Sequence, residues 1–197
     1  SSIECEYDAA LAIPDILNKA IKAAKEGFDG IYIDCFGEPG VRAAREVVDI
    51  PVFSGFEPAM LLATGLGDHL GVITMLPTVL PMFEGMTKKI GLYSKVVCWR
   101  SVDIPVLDLG DKIKLENALY QQSIEAIEKD NAHVIVLGCT GMTNISDNLH
   151  NRLFKIGYDV PIIDPAYAAI KLLEVYISMG LKQSRLTYMK PKYKKCK

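Results

Sequence analysis

Several features that would point to other classes of protein are missing from this sequence of 197 residues. No apolar run approaches the roughly 18 residues that a membrane-spanning helix needs, and the first residues do not have the pattern of a signal peptide. Lysine plus arginine (22) nearly balance aspartate plus glutamate (24), so the overall charge gives no sign of a nucleic-acid-binding surface. We therefore expect a cytoplasmic protein that has neither a nucleic-acid nor a membrane partner.

Paired cysteines are also missing. The five cysteines are Cys5, Cys35, Cys98, Cys139 and Cys196, an odd number with no C-x-x-C motif among them. A disulfide scaffold or a structural zinc site is therefore not expected, and the three histidines are too scattered to form a metal site. Reduced thiols are typical of a cytosolic protein. The lysine-rich stretch 190–197 is interpreted as a solvated terminus.

Short β-branched runs alternate with helical patterns along the chain. Apolar residues at helical spacing predict helices over 8–26, 41–48, 57–66, 77–90, 112–130, 144–156 and 165–179. Short apolar runs predict strands over Ile31–Ile33, Pro51–Phe53, Leu70–Met75, Lys95–Trp99, Val134–Leu137 and Val160–Ile163. This alternation predicts an α/β fold with mainly parallel sheets flanked by helices. Pro14 is expected in the first turn of the regular part of the first helix.

The chain contains an internal repeat of strand, cysteine loop, helix, strand and helix. Cys35 and Cys139 occupy equivalent places in the two copies, 104 residues apart. The repeat predicts two pseudo-symmetric halves, residues 1–66 plus 166–197 and residues 67–165. The second copy has an extra strand, Leu70–Met75, in front of it. We therefore expect the first half to have an equivalent strand and helix, about 40 residues in length, that the sequence does not include.

Each predicted half carries a cysteine at the end of a strand, followed by a glycine-containing loop. The two motifs are Asp34-Cys35-Phe36-Gly37-Glu38-Pro39-Gly40 and Leu137-Gly138-Cys139-Thr140-Gly141-Met142. With supporting stretches such as Val160-Pro161-Ile162-Ile163-Asp164, they resemble the aspartate/glutamate racemase superfamily and, within it, the hydantoin racemase branch. The similarity runs from Ser2 to about Ser184. The loop after the first cysteine is similar to that branch, whereas amino-acid racemases usually have asparagine-threonine there.

The resemblance implies two α/β halves with the active site in the cleft between them, and no cofactor. It implies a racemase of 5-substituted hydantoins or allantoin, with this small molecule as its partner. Cys35 and Cys139 would act as acid and base on opposite faces of a carbon next to a carbonyl. A thiol suits both roles because its reference pKa of about 8.5 is close to neutrality, and backbone N–H groups after a strand favour the thiolate. The expected substrate-binding residues are Phe36, Gly37, Glu38, Pro39, Thr74, Met75, Thr140 and Gly141, and no metal ligand is expected.

Other functions on the same scaffold stay open. An amino-acid racemase would bind a free α-carboxylate and amine, and an isomerase of unsaturated diacids would use one cysteine as a nucleophile. A decarboxylase of the superfamily would keep only the second cysteine, so Cys35 argues against that activity. A small-molecule-binding protein without catalysis is the alternative of another class. The oligomeric state is open too, with a homo-oligomer among the alternatives, and Cys98 is expected to pack in the core.

Overall fold

The computed structural model describes residues 2–192, in which helices and strands alternate as predicted. The helices are α1 (Glu6–Lys25), α2 (Val41–Val47), α3 (Phe56–Thr64), α4 (Leu80–Lys89), α5 (Lys112–Asp130), α6 (Ser146–Phe154) and α7 (Pro165–Ser178). The strands are β1 (Ile31–Ile33), β2 (Val52–Ser54), β3 (Leu70–Thr74), β4 (Val96–Ser101), β5 (Val134–Leu137) and β6 (Ile162–Ile163). Short 3-10 turns cover Pro77–Val79, Tyr93–Lys95, Val106–Asp108 and Thr140–Met142. Cys196 and most of the predicted lysine-rich terminus lie outside the described residues.

The strands form two parallel sheets, β1-β2 and β4-β3-β5-β6. The α/β class, with parallel sheets between helices, is therefore confirmed. The same strand pairing recurs in the two copies of the repeat. Ile31 N donates to Pro51 O over 2.9 Å, and Ile135 N donates to Pro161 O over 2.9 Å. A proline that cannot donate to the ladder thus accepts a bond at the start of the second strand of each copy.

The central strands of the larger sheet are buried on both faces. Every residue of β3 and of β5 is buried, which explains why their sequences are continuous apolar runs rather than alternating ones. Helices α5 and α3 contact this sheet. Large side chains such as Leu70, Ile73 and Leu137 are fully buried, and each contributes roughly 1.5–3 kcal/mol of hydrophobic stabilisation. The Cys139 loop, which follows β5, therefore starts from a rigid core.

Helices α3 and α7 lie where the two sheets approach each other. Helix α7 follows β6 of the larger sheet, yet it packs against α3, β1 and β2. Helix α3 follows β2 of the smaller sheet and also contacts β5 and β6. The chain thus crosses between the two sheets, although the exact boundaries 1–66, 67–165 and 166–197 stay a prediction.

Helix α1 corrects the expected position of Pro14. The helix begins at Glu6, so Pro14 lies in its interior rather than in its first turn. The upstream turn is stabilised locally, because Ala9 N donates to Cys5 O over 3.2 Å and the Asp8 carboxylate accepts from Glu4 N over 3.0 Å. These contacts start the helix before the proline. Pro14 removes one backbone hydrogen bond, but the helix continues past it. None of the helices between residues 2 and 192 has the combined length and apolarity needed to cross a lipid bilayer.

Candidate active site

The carboxyl ends of β1 and β5 open onto one cavity of about 300 Å³. Both Cys35 and Cys139 line this cavity, so the structure brings together the two thiols that the repeat singles out. The remaining lining residues are Ser2, Ile3, Asp34, Phe36, Gly37, Met75, Val79, Met82, Phe83, Val106, Thr140 and Gly141. The two copies of the repeat therefore contribute to one site.

Cys35 is fixed by the end of the neighbouring strand. Its carbonyl oxygen accepts a hydrogen bond from Gly55 N over 3.0 Å, and a second from the hydroxyl of Ser54. Ser54 also donates to Ile33 O over 2.8 Å. Because Ser54 is fully buried, its hydroxyl serves the backbone of the β1 end rather than a ligand.

Cys139 is fixed in a similar way from β3. Gly138 N donates to Ile73 O over 2.7 Å, and the Thr74 hydroxyl donates to Gly138 O over 2.9 Å. A Cβ atom on Gly138 would lie 2.8 Å from Cβ of Thr74 and 3.2 Å from the Ile73 oxygen. Only glycine lets the backbone before Cys139 approach β3 this closely.

Burial makes both thiols weaker acids. Desolvation raises the pKa of Cys35 to about 11, although the backbone N–H groups of Gly37 and Glu38 act in the opposite direction. Desolvation raises the pKa of Cys139 to about 11 as well, opposed by the N–H of Gly141. The expected backbone donors are present, but desolvation is the larger effect. Both groups are therefore thiols in the free protein at neutral pH.

The glycine two residues after each cysteine leaves space beside its sulfur. A Cβ atom on Gly37 would lie 3.7 Å from Cys35 Sγ and 2.9 Å from Cε of Met82. A Cβ atom on Gly141 would lie 3.5 Å from Cys139 Sγ. The Cys-x-Gly sequence thus gives the same open approach to the thiol in both halves.

The cavity contains no basic side chain among the described lining residues. Its ionisable groups are Asp34, Cys35 and Cys139, and the carboxylate of Asp34 accepts from the Tyr32 hydroxyl over 3.0 Å. The negative charge of Asp34 adds to burial in raising the pKa of both cysteines. A free carboxylate entering this cavity would find no cationic partner among the described lining residues, whereas a neutral ligand would not need one.

One wall of the cavity is apolar and tightly packed. The Phe36 ring packs edge-on against Phe56 and Phe83, with centroid distances of 5.3 Å and 5.0 Å. Val79 and Met82 line the cavity next to these rings. Such a wall favours contact with an apolar group of a ligand.

Five of the eight predicted substrate-binding residues line the cavity: Phe36, Gly37, Met75, Thr140 and Gly141. The other three, Glu38, Pro39 and Thr74, are not among its lining residues. Thr74 is fully buried and bonded to Gly138 O. The carboxylate of Glu38 turns toward α3 and accepts from Glu57 N over 2.9 Å. Pro39 lines an adjoining groove between α1 and β1, which shares Ile3, Asp34 and Cys35 with the cavity.

Part of the wall carries no signal in the sequence. Ser2 and Ile3 line the cavity because the segment that contains them is attached to the second half. Glu4 accepts from Val106 N over 2.9 Å through its carboxylate and from the Thr78 hydroxyl over 2.8 Å through its carbonyl. These partners are distant in sequence and belong to no motif, so sequence reasoning missed them.

Cys98 lies apart from the cavity. It is a half-buried residue of β4 that packs against the core, as expected, and burial raises its pKa to about 12. Its neighbour Arg100 pairs with Asp130 over 2.7 Å and with Glu125. Across residues 2–192, no three histidine, cysteine or acidic side chains come together as a possible metal site.

This geometry defines a class of protein. Its members are α/β proteins with two parallel sheets, in which each copy of a repeat contributes one thiol to a shared cavity. The chain belongs to the Asp/Glu/hydantoin racemase family, whose model matches residues 1–173. It is 37% identical to a hydantoin racemase of Pseudomonas sp. (strain NS671) and 34% identical to one of Rhizobium meliloti, covering 98% of this chain and 77% and 79% of those proteins. Among solved structures, an allantoin racemase from Klebsiella pneumoniae superimposes with a TM-score of 0.92 at 32% identity, over all of this chain and 79% of that one.

Proposed function

We propose that this protein is a cofactor-independent racemase of 5-substituted hydantoins, with Cys35 and Cys139 as its acid/base pair. The observation that carries the proposal is that these two thiols, one from each copy of the repeat, line one cavity with no basic side chain among its described lining residues. Membership of a racemase family supports the reaction class.

The proposed reaction moves one proton off and one proton onto C5 of the hydantoin ring. C5 lies next to a carbonyl, so loss of its proton leaves a planar enolate in which the configuration at C5 is lost. The thiolate form of one cysteine takes the proton, and the thiol of the other cysteine gives its own proton to the opposite face. The two sulfurs have then exchanged protonation states, and the enzyme is ready for the other enantiomer.

The high pKa of the thiols is consistent with this chemistry. A carbon acid such as C5–H is a weak acid, and a thiolate whose conjugate pKa is about 11 is a stronger base than an ordinary cysteine. Backbone N–H groups in the loop after each cysteine are available to stabilise negative charge that develops on the carbonyl. The cost is a small population of thiolate at neutral pH, which limits the rate.

The charge of the cavity favours a hydantoin over a free amino acid. A hydantoin is a neutral ring, whereas aspartate or glutamate brings carboxylates that would meet Asp34 and no described cation. The apolar wall of Val79, Met82 and Phe83 suits an apolar 5-substituent. The likeness to the curated hydantoin racemases supports the same choice.

Allantoin is the second candidate substrate. It has the same ring with a polar ureido group at C5, and this chain is similar to an allantoin racemase over its whole length. Ser2 and Asp34 on the cavity wall offer hydrogen-bond partners for a ureido group. The reaction at C5 and the roles of the two thiols would be unchanged.

Optical rotation tests the proposal. The protein is incubated separately with the D and L forms of 5-benzylhydantoin, 5-isopropylhydantoin, allantoin, aspartate and glutamate. We expect loss of rotation with a hydantoin or with allantoin, and none with the amino acids. Cys35→Ser and Cys139→Ser should each abolish racemisation, while the matched control Cys98→Ser, outside the cavity, should keep it.

Two results would count against the proposal. Full racemase activity in either serine variant would exclude the two-thiol mechanism. Absence of racemisation with every hydantoin and allantoin would exclude the activity itself, and saturable binding of a hydantoin in that case would favour a binding protein without catalysis.

A further inference from the structure

A carboxylate fastens each cysteine loop to the start of the helix that follows the next strand. In the first half, Glu38 on the Cys35 loop accepts from Glu57 N in the first turn of α3, over 2.9 Å. In the second half, Asp164 at the start of α7 accepts from the Thr143 hydroxyl over 2.8 Å and from Asn144 N over 3.1 Å. Helices α3 and α7 occupy equivalent places in the repeat.

Each contact between a cysteine loop and the start of a helix is called a junction here, and the two junctions differ in which side supplies the carboxylate. The acid belongs to the loop in the first half and to the helix in the second. Helix capping alone does not explain Asp164, because only its Oδ1 accepts from Ala166 N and Tyr167 N, over 2.9 Å and 3.1 Å. Its Oδ2 is used for the loop. Equivalent contacts are thus made by non-equivalent residues, which is the pattern expected when the contact itself is needed.

Both loops pass through left-handed backbone at these contacts. Glu38 has φ of 54° and Asn144 has φ of 61°, a region that residues other than glycine rarely adopt. Neither Glu38 nor Asp164 lines the cavity. Their side-chain hydrogen bonds therefore act on the cysteines through the conformation of the loops, while the charge of Glu38 also adds to burial in raising the pKa of Cys35.

We propose that Glu38 and Asp164 are positioning residues, Glu38 for the thiol of Cys35 and Asp164 for the thiol of Cys139. As a statement about catalysis the inference rests on the proposed racemase function, but the positioning itself can be tested without activity. The separation into two independent junctions is its main consequence: loss of one carboxylate should disturb one thiol and leave the other in place.

Alkylation of individual cysteines by iodoacetamide, followed by mass spectrometry, tests the separation. Glu38→Ala removes the acceptor and should speed alkylation of Cys35 about fivefold or more through local opening, with Cys139 unchanged. Thr143→Val removes one contact of the Asp164 Oδ2 atom and leaves the helix cap intact, so it should speed alkylation of Cys139 alone. Glu38→Gln keeps an acceptor oxygen and lacks the charge just as Glu38→Ala does. Alkylation of Cys35 should therefore be slower in Glu38→Gln than in Glu38→Ala, which separates the hydrogen bond from the loss of charge.

Racemisation kinetics give the second readout. A small misplacement of a reacting group slows the chemical step by roughly 10- to 100-fold, so kcat should fall in Glu38→Ala and in Asp164→Ala. KM should stay within about twofold, since neither carboxylate lines the cavity. Glu38→Gln should restore most of kcat. Asp164→Ala also loses a cap, so Thr143→Val serves as its folded counterpart.

Two outcomes would overturn the inference: both cysteines changing reactivity together in each variant, or wild-type alkylation and kcat in Glu38→Ala and Thr143→Val. If the wild type racemises none of the substrates while alkylation shows the expected one-to-one pattern, the proposed function fails and the positioning stands. Alkylation of Cys98 in the same samples reports general unfolding, since it lies outside both loops.

Discussion

Cys139 is a weak acid because it is buried and because Cys35, at the equivalent place in the other copy of the repeat, adds negative charge to the same cavity. Ionisation of one thiol thus opposes ionisation of the second. The singly ionised form of the pair has one base and one acid. That form is the one that a two-base racemisation uses.

The first prediction concerns the pH dependence of the thiols. With pKa values of about 11, the thiolate fraction of each should rise about tenfold per unit from pH 7 to pH 10. Iodoacetamide reacts with the thiolate, so alkylation of Cys35 and Cys139 should rise by the same factor. Free cysteine in the same buffers should level off near its ordinary pKa. A plateau of the protein thiols below pH 9 would contradict the prediction.

The second prediction concerns Glu38. Burial raises its pKa to about 7, with the charge of Glu57 adding to the shift and those of Arg45 and Lys89 opposing it. The folded protein therefore binds a proton that the unfolded chain has lost, and the associated stability is present below about pH 4.5 and lost as pH rises through 7.

The side chain introduced by Glu38→Gln is neutral at every pH, so this variant should not lose stability as pH rises through 7. We expect its free energy of unfolding to exceed that of the wild type by about 1–3 kcal/mol at pH 8.5 and to differ little at pH 5. Urea unfolding at the two pH values measures the difference. Glu26→Gln, an exposed change at the end of α1, is the control that should show no such dependence. Equal stability of Glu38→Gln and wild type at pH 8.5 would count against a buried, charged Glu38.

Much of the fold could be predicted from the sequence because its signals are local. Apolar periodicity gave α5 and β5 their observed bounds, 112–130 and 134–137. The position of Pro14 was wrong because side-chain and backbone contacts upstream of it begin the helix earlier. The division into halves, the oligomeric state and the cytoplasmic location stay predictions.

The candidate site was only partly predictable. The repeat pairs Cys35 with Cys139, and both indeed line one cavity. The direction of the Glu38 side chain depends on the start of α3, which the sequence around Glu38 does not reveal. Met82 and Val106 reach the wall through tertiary packing and have no motif. Substrate contact by any of the predicted binding residues stays a prediction.

The third prediction concerns Arg45, a buried cation close to the first cysteine loop. Its guanidinium donates to Glu57 over 2.9 Å, to Val52 O over 2.9 Å and to the Tyr188 hydroxyl over 3.1 Å. Arg45→Met should lower the free energy of unfolding by about 3–5 kcal/mol, because it leaves a carboxylate without its partner. Tyr188→Phe removes one hydrogen bond from the Arg45 cation to a neutral hydroxyl and should cost about 1.5 kcal/mol. Urea unfolding measures both losses of stability. Similar losses in the two variants would argue against the ion pair with Glu57 as the main contribution of Arg45 to the free energy of unfolding.

The fourth prediction contrasts two glycines next to the cysteines. A Cβ atom on Gly138 meets Cβ of Thr74 and a backbone oxygen, neither of which can move away easily. Gly138→Ala should therefore destabilise the fold by about 1–3 kcal/mol. A Cβ atom on Gly37 meets the flexible end of Met82 at 2.9 Å, so Gly37→Ala should fold with a smaller loss and reduce the space beside Cys35.

The reduced space should appear in substrate selectivity if the proposed function is right. In Gly37→Ala, KM for 5-benzylhydantoin should rise several-fold more than KM for 5-methylhydantoin, because one methylene-sized clash in a pocket costs roughly 1–3 kcal/mol. Thermal unfolding and racemisation kinetics on the two substrates measure both effects. A variant Gly37→Ala that is as unstable as Gly138→Ala would show that Met82 is held rigidly. An equal rise of KM for both substrates would place the 5-substituent away from Gly37 and Met82.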